Sequence, residues 1–251
     1  AKRRRQKPRC RKNKAMSEQN KLYENAAFQE FAGDALRPGG LELTEEAVKL
    51  AGFAKGSRLL DIGCGAGKTV AFLTENYAAS GIDRSESLIA KGKSIAPALD
   101  IQVGSAYALP YAKNSFDGIF TECVLSLLQD KAAAFAEMQR VLKPRGKLAV
   151  SDLYIRESTK PFTGIPLITC INGMKSEAQL QQEMQEAGFQ LLEWQDKTVQ
   201  FKGFLAGLIM NYGSLQAFWQ SLAGDCATAC KVQESLQGIK IGYYLAIWQK
   251  G

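Results

Sequence analysis

Leu59-Leu60-Asp61-Ile62-Gly63-Cys64-Gly65-Ala66-Gly67-Lys68-Thr69 decides how this chain is read. An apolar run enters three glycines at alternating positions and leaves into a helical pattern. Glycine lets a backbone turn tightly and approach a ligand with no Cβ in the way. Two familiar phosphate-binding patterns fail here. A Walker A loop needs a glycine five residues before Gly67, where this chain has Ile62. A dinucleotide fingerprint needs its third glycine one residue later than Gly67. What remains is D-x-G-x-G-x-G between a strand and a helix.

Outward from this loop, short β-rich runs alternate with helical stretches. Strands are predicted over Arg58–Gly63, Tyr77–Asp83, Ile101–Ala106, Phe116–Cys123 and Gly146–Ile155. Helices are predicted over Lys68–Glu75, Ser85–Ile95, with Ser85 as N-cap, and Asp130–Leu142, stopped by Lys143-Pro144-Arg145-Gly146. The alternation specifies a doubly wound α/β sheet with its ligand site beyond the strand C-termini. Further on, Ser176–Ala187 reads as a helix, and Phe189–Lys197 and Ile241–Gln249 as strands. Phe201–Leu222, rich in glycine and aromatics, is predicted as a helical insertion before the last strand, lying over the site. Ser17–Gly52 reads as one or two helices broken at Arg37-Pro38-Gly39-Gly40, which either enter the site or simply end a helix.

The glycine pattern resembles motif I of class I S-adenosylmethionine-dependent methyltransferases, and four further segments resemble that family in the same order. Gly81-Ile82-Asp83 ends the second strand with an acid. Val103-Gly104-Ser105-Ala106-Tyr107-Ala108-Leu109-Pro110 resembles the family's "GDAxxLP", with Ser105 for the usual Asp. Ser115-Phe116-Asp117 matches "SFD", and Arg140–Gly146 matches "R-V-L-K-P-G-G", with Arg145 for a glycine. The resemblance covers about residues 40–155, most closely in the type 11, ubiquinone-biosynthesis-like branch. It implies a Rossmann-like seven-stranded sheet with helices on both faces, S-adenosylmethionine as cofactor, and a small-molecule methyl acceptor. Carried over, the cofactor is held by Asp61, Gly63, Cys64, Gly65, Gly67, Asp83, Arg84, Ser105, Ala106 and Glu122.

A second, C-terminal resemblance is to arsenite methyltransferases. Ser151-Asp152-Leu153-Tyr154, Cys170-Ile171-Asn172-Gly173 and Gly224-Asp225-Cys226 stand where that family has "SDVY", Cys-x-Gly-Gly and "GDC". It implies Cys170 and Cys226 as metalloid ligands, with Cys230 one helical turn away. The competing reading makes these thiols small buried apolar residues.

Composition narrows the chemistry. The 251 residues include no histidine, which excludes His-based triads, dyads and HExxH zinc sites. Acid–base work must fall to groups such as Glu122, Asp152 or Tyr154, or the acceptor must already be nucleophilic. The net charge of +7 comes from 32 Lys+Arg against 25 Asp+Glu. Nine of the basic residues lie in residues 1–14, so 23 basic residues face the 25 acidic ones elsewhere. The expectation is a basic tail over 1–15, disordered or non-native, and a single domain over 16–251. Such a tail is what an RNA methyltransferase would use; the near-neutral body argues against nucleic acid. No apolar run reaches the ~20 residues of a membrane span. Six cysteines in this length read as reduced thiols in a cytoplasmic protein. A cofactor-binding fold without turnover is the remaining alternative.

Overall fold

Strand β1 (Arg58–Ile62) buries Leu59 and Leu60 on opposite faces, as a central parallel strand must when both sides carry helices. The computed structural model describes Phe28 and residues 37–251, and the expectations for residues 1–15 and for most of Ser17–Arg37 lie outside the described residues. In chain order, helix α1 (Gly40–Ala51) precedes β1, and α2 (Lys68–Thr74), β2 (Ala78–Asp83), α3 (Glu86–Ile95) and β3 (Ile101–Val103) follow. Then come β4 (Phe116–Glu122), α4 (Lys131–Val141), β5 (Leu142–Ser158), α5 (Glu177–Glu186) and β6 (Phe189–Asp196). Helices α6 (Thr198–Tyr212), α7 (Leu215–Ala223) and α8 (Cys226–Leu236) lead into β7 (Ile239–Lys250).

The seven strands form one sheet in the order β3-β2-β1-β4-β5-β7-β6. The first five are parallel, and β7 inserts antiparallel between β5 and β6. The order reverses between β1 and β4, so a crevice opens beyond their C-terminal ends. Apolar residues alternate between two cores. Leu59, Phe120, Leu153 and Tyr243 face one side; Leu60, Ile119, Tyr154 and Tyr244 face the other.

The motifs of the sequence prove to be joints of this frame. Asp117 accepts the Arg58 amide at 2.8 Å and the Lys143 ammonium at 2.7 Å, tying together the starts of β1, β4 and β5. Arg140 donates to the carbonyls of Leu109 and Tyr111 at 2.8 and 2.6 Å, while Glu137 accepts the Leu109 amide at 2.7 Å. These contacts hold the 105–111 loop at the sheet's edge. Helix α4 stops at Val141, but Lys143–Gly146 is no separating loop, because β5 already begins at Leu142. The partner register jumps from Phe116↔Leu142 to Gly118↔Lys147. Arg145 takes a left-handed φ of 60°, a conformation that glycine adopts without strain.

The insertion is larger than its aromatic content predicts. Three helices span residues 198–236, not one stretch over 201–222. Helix α8 escaped the pattern because it buries little beyond Thr228, Ala229 and Val232. The Gly224-Asp225 pair is turn chemistry: Gly224 ends α7 at φ 73°, and Asp225 caps α8 by accepting the Thr228 amide at 2.8 Å. Phe218 packs α7 against Phe28 and Tyr212 and is buried, which contributes about 1.5–3 kcal/mol.

Candidate functional site

The loop from β1 to α2 is built on left-handed glycines, with φ of 79°, 54° and 83° at Gly63, Gly65 and Gly67. A Cβ on Gly63 would lie 2.4 Å from Val124, so the turn admits nothing larger there. The amides of Gly63 and Cys64 both donate to the Ile82 carbonyl, at 2.7 and 3.0 Å, which docks the loop onto the end of β2. Asp83 completes the dock. One carboxylate oxygen accepts the Gly65 amide at 2.9 Å, and the other accepts the Ser85 amide at 2.8 Å. Arg84, next in the chain, is exposed. Ser105 is half-buried, its hydroxyl accepting the Tyr107 amide at 3.2 Å, and Ala106 beside it is buried. Cys64 packs under Gly81; burial, with Asp61 and Asp83 nearby, pushes its thiol up, so it is a neutral packing group.

Acidic charge concentrates under this loop. Asp61 is buried, and burial together with Glu122 and Asp83 raises its carboxyl well above the usual range, Arg37 opposing. The ionised carboxylate therefore costs the folded state stability. The cost is present above the raised folded value and is relieved as the pH falls through it, at pH values above the ordinary 3.8. Asp61→Asn is thus expected to raise the melting temperature by about 2–4 °C at pH 8. That advantage should vanish in acid, as thermal melts across pH would show.

Sequence reading named Glu122 but missed the pairing with Arg37 that holds this region together. Glu122, at the end of β4, accepts from Arg37 at 2.6 Å, Thr69 at 2.8 Å and Thr44 at 3.0 Å. Arg37 also donates to Thr44, Thr69 and the Gly40 carbonyl. Burial opposes the guanidinium's charge, but Glu122 more than compensates and raises it. The pair links residues 85 apart in sequence, which no local motif marks.

An apolar cavity of about 310 Å³ opens under the three inserted helices; Cys123 in its lining precedes Val124, the residue against which Gly63 of the loop packs. Phe28, Phe201, Phe204, Phe218 and Trp219 form its aromatic wall, and Lys202 is the lone charged residue in its lining. Neither Asp152 nor Tyr154 lines it. The buried Asp152 carboxylate accepts from the Ser126 amide at 2.9 Å, the Ser126 hydroxyl at 2.7 Å and the Leu153 amide at 2.8 Å. It thereby anchors the turn at Leu125–Leu127. Burial raises its carboxyl despite these bonds. Tyr154 is on the sheet's other core, where its hydroxyl donates to Asp196 at 2.9 Å. Burial and Asp196 push it up to about 12.

The thiols fall differently from the metalloid pattern. Cys170 is buried beside Cys123 and Asp152, whereas Cys226 opens α8 half-buried and Cys230 is exposed. Neither Cys226 nor Cys230 joins the one cluster of three such ligands among the described residues. The resemblance to arsenite methyltransferases thus rested partly on Gly224 and Asp225, which the helix junction explains. No described cysteine is disulfide-bonded. Among the described residues no helix is long and apolar enough to cross a membrane.

Comparison with known proteins agrees with this geometry. The family described as "Methyltransferase domain" matches residues 53–188. A phosphoethanolamine N-methyltransferase of Triticum aestivum is 32% identical over 189 residues, 71% of this chain and 36% of that protein. The chain thus spans little more than a third of the length of that relative. Phosphoethanolamine N-methyltransferase 2 of Haemonchus contortus, solved with S-adenosyl-L-methionine, superposes with a TM-score of 0.69 at 21% identity. That match covers 89% of this chain and 56% of the solved one. The [4+2]-cyclase SpnF superposes with a TM-score of 0.68 at 24% identity, covering 87% of this chain and 84% of that one. With a family match over more than half of its residues and a sheet of the same architecture, this chain belongs to the class I S-adenosylmethionine-dependent methyltransferases.

Proposed function

We propose that the chain transfers the methyl group of S-adenosylmethionine to an apolar small molecule seated in the cavity under α6, α7 and α8. The observation that carries this reading is the left-handed glycine loop docked on Asp83, with Cys123, which follows β4, lining the cavity beside Val124, against which Gly63 packs. S-adenosylmethionine supplies a methyl group made electrophilic by its sulfonium. Gly63, Gly65 and Gly67 would give it a surface free of Cβ atoms, and Asp83 would accept from its ribose hydroxyls. Cys64 and Arg84 flank that contact, and Ser105 and Ala106 border the adenine. The positive charge of the cofactor would favour the ionised form of Asp61, whose carboxyl burial and Glu122 raise. Water exclusion by the aromatic wall and positioning of the acceptor do most of the remaining work. Glu122, already held by Arg37, Thr44 and Thr69, positions; no histidine is present to take a proton. The acceptor class is therefore one that is nucleophilic with little help, such as a phenolate, a thiolate or a stabilised carbanion.

The lining speaks against a zwitterionic acceptor, since phosphoethanolamine would meet aromatic rings and a single lysine. We place the chain in the type 11 branch, as one domain over 16–251 with 1–15 apart, working in a reducing cytoplasm. The test is a screen of quinols, phenols, small thiols, arsenite and phosphoethanolamine, read by S-adenosylhomocysteine formation. Turnover is expected with apolar acceptors and not with phosphoethanolamine. Cofactor binding without any methylated product would instead mean a non-catalytic binding protein. Turnover on RNA that depends on residues 1–15 would overturn the small-molecule reading.

A further inference from the structure

We propose that Cys123, Cys170 and Asp152 form a site for a thiophilic divalent cation of the zinc class at the wall of the apolar cavity. The two sulfurs and a carboxylate oxygen lie within 4.8 Å of one another, and all three residues are buried. A tetrahedral zinc ion, with bonds of about 2.3 Å to sulfur and about 2.0–2.2 Å to oxygen, spaces its ligands about 3.3–3.8 Å apart. The cluster reaches that spacing with small side-chain shifts.

Three separate segments converge to make it, and each is fixed by its own contacts. Cys123 sits at a left-handed φ of 57°, unusual for a residue with a Cβ. Its amide donates to the Ser151 carbonyl at 2.7 Å, and its sulfur lies 3.3 Å from the Tyr243 hydroxyl. Cys170 opens the turn Cys170–Gly173, which Thr169 caps. Gly173 presses that turn onto the Ser126 backbone so closely that a Cβ would come within 2.0 Å of the Ser126 carbonyl. Asp152 is oriented by Ser126 and Leu153, leaving acceptor capacity on the oxygen bonded only by the Ser126 amide. Such outer contacts fix ligand orientation at known metal sites.

Lys131, the cation whose field reaches Asp152, is engaged by Glu183 at 3.2 Å. Each thiol releases its proton to solvent as its sulfur bonds the ion, so the two thiolates balance the divalent charge and the site keeps the single negative charge of Asp152. Cys123 and Cys170 both line the cavity, which places the site at its wall. Its use toward an acceptor rests on the proposed reading of the cavity; binding of the ion does not.

The test uses the full reduced chain, loaded with zinc, desalted into metal-free buffer and measured by atomic spectrometry, with no cofactor or acceptor present. About one zinc per chain is expected to remain. Cys123→Ser with Cys170→Ser should lower retention at least ~10-fold. Cys226→Ser with Cys230→Ser should leave it unchanged. Cadmium added to the unaltered protein should give a thiolate-to-metal absorption band that saturates at about one equivalent, which stands even if the Cys123, Cys170 variant fails to fold. A chain that desalts free of zinc and shows no cadmium band overturns the site. So does zinc that survives loss of both thiols in a folded variant, or that leaves with Cys226 and Cys230.

Discussion

Asp83→Ala is expected to weaken S-adenosylmethionine binding by at least ~100-fold, about 2.7 kcal/mol, while leaving the chain folded. Two losses add. The carboxylate now holds the Gly65 and Ser85 amides at 2.9 and 2.8 Å, so its removal frees the glycine loop from the end of β2. Hydrogen bonds to a charged group are worth about 1.5–3 kcal/mol each, and the cofactor's hydroxyls would lose the same acceptor. Folding is buffered because the Ser85 hydroxyl still caps α3 and the Ile82 carbonyl still accepts from Gly63 and Cys64. Asp83→Asn should fall between, since an amide keeps one accepting oxygen but cannot serve both sides. Isothermal titration of the two variants decides the matter. An alanine variant that binds within about threefold of the wild type would remove Asp83 from the cofactor site.

What was legible in the sequence was what local backbone chemistry demands. Three glycines at alternating positions announce left-handed turns, and all three adopt them. Asp83 was legible because a strand-end acid at that spacing has a place to go, and Asp117 and Arg140 because their partners follow the strand order. Arg145 shows the limit of motif reading, for a left-handed φ that glycine favours is held here by an arginine. Long-range partners were not legible. Nothing in the sequence says that Arg37 meets Glu122, or that Cys170 lies beside Cys123 and not with Cys226. Helix α8 was hidden because its few buried residues leave no clear apolar stripe. Period-2 alternation places Tyr154, offered as a candidate base, on the face opposite Leu153, which lines the cavity.

The largest stability effect is expected at Arg37. Its guanidinium and the Glu122 carboxylate meet at 2.6 Å with only 6% and 8% of their side chains exposed. Arg37→Ala leaves that carboxylate buried against Thr44 and Thr69, with Asp61 already strained by the same field. Stranding one member of a buried pair costs about 3–5 kcal/mol, which in a chain of this size lowers the melting temperature on the order of 10 °C. Arg37→Lys should recover only part, because one ammonium cannot serve Glu122, Thr69, Thr44 and the Gly40 carbonyl together. The double variant Arg37→Ala, Glu122→Gln separates charge from shape. With no stranded charge, it should be more stable than Arg37→Ala alone, although it carries one more substitution. A double variant as unstable as the sum of its single changes would mean that the two groups act independently, and that this ion pair does not clamp α1 to the glycine loop.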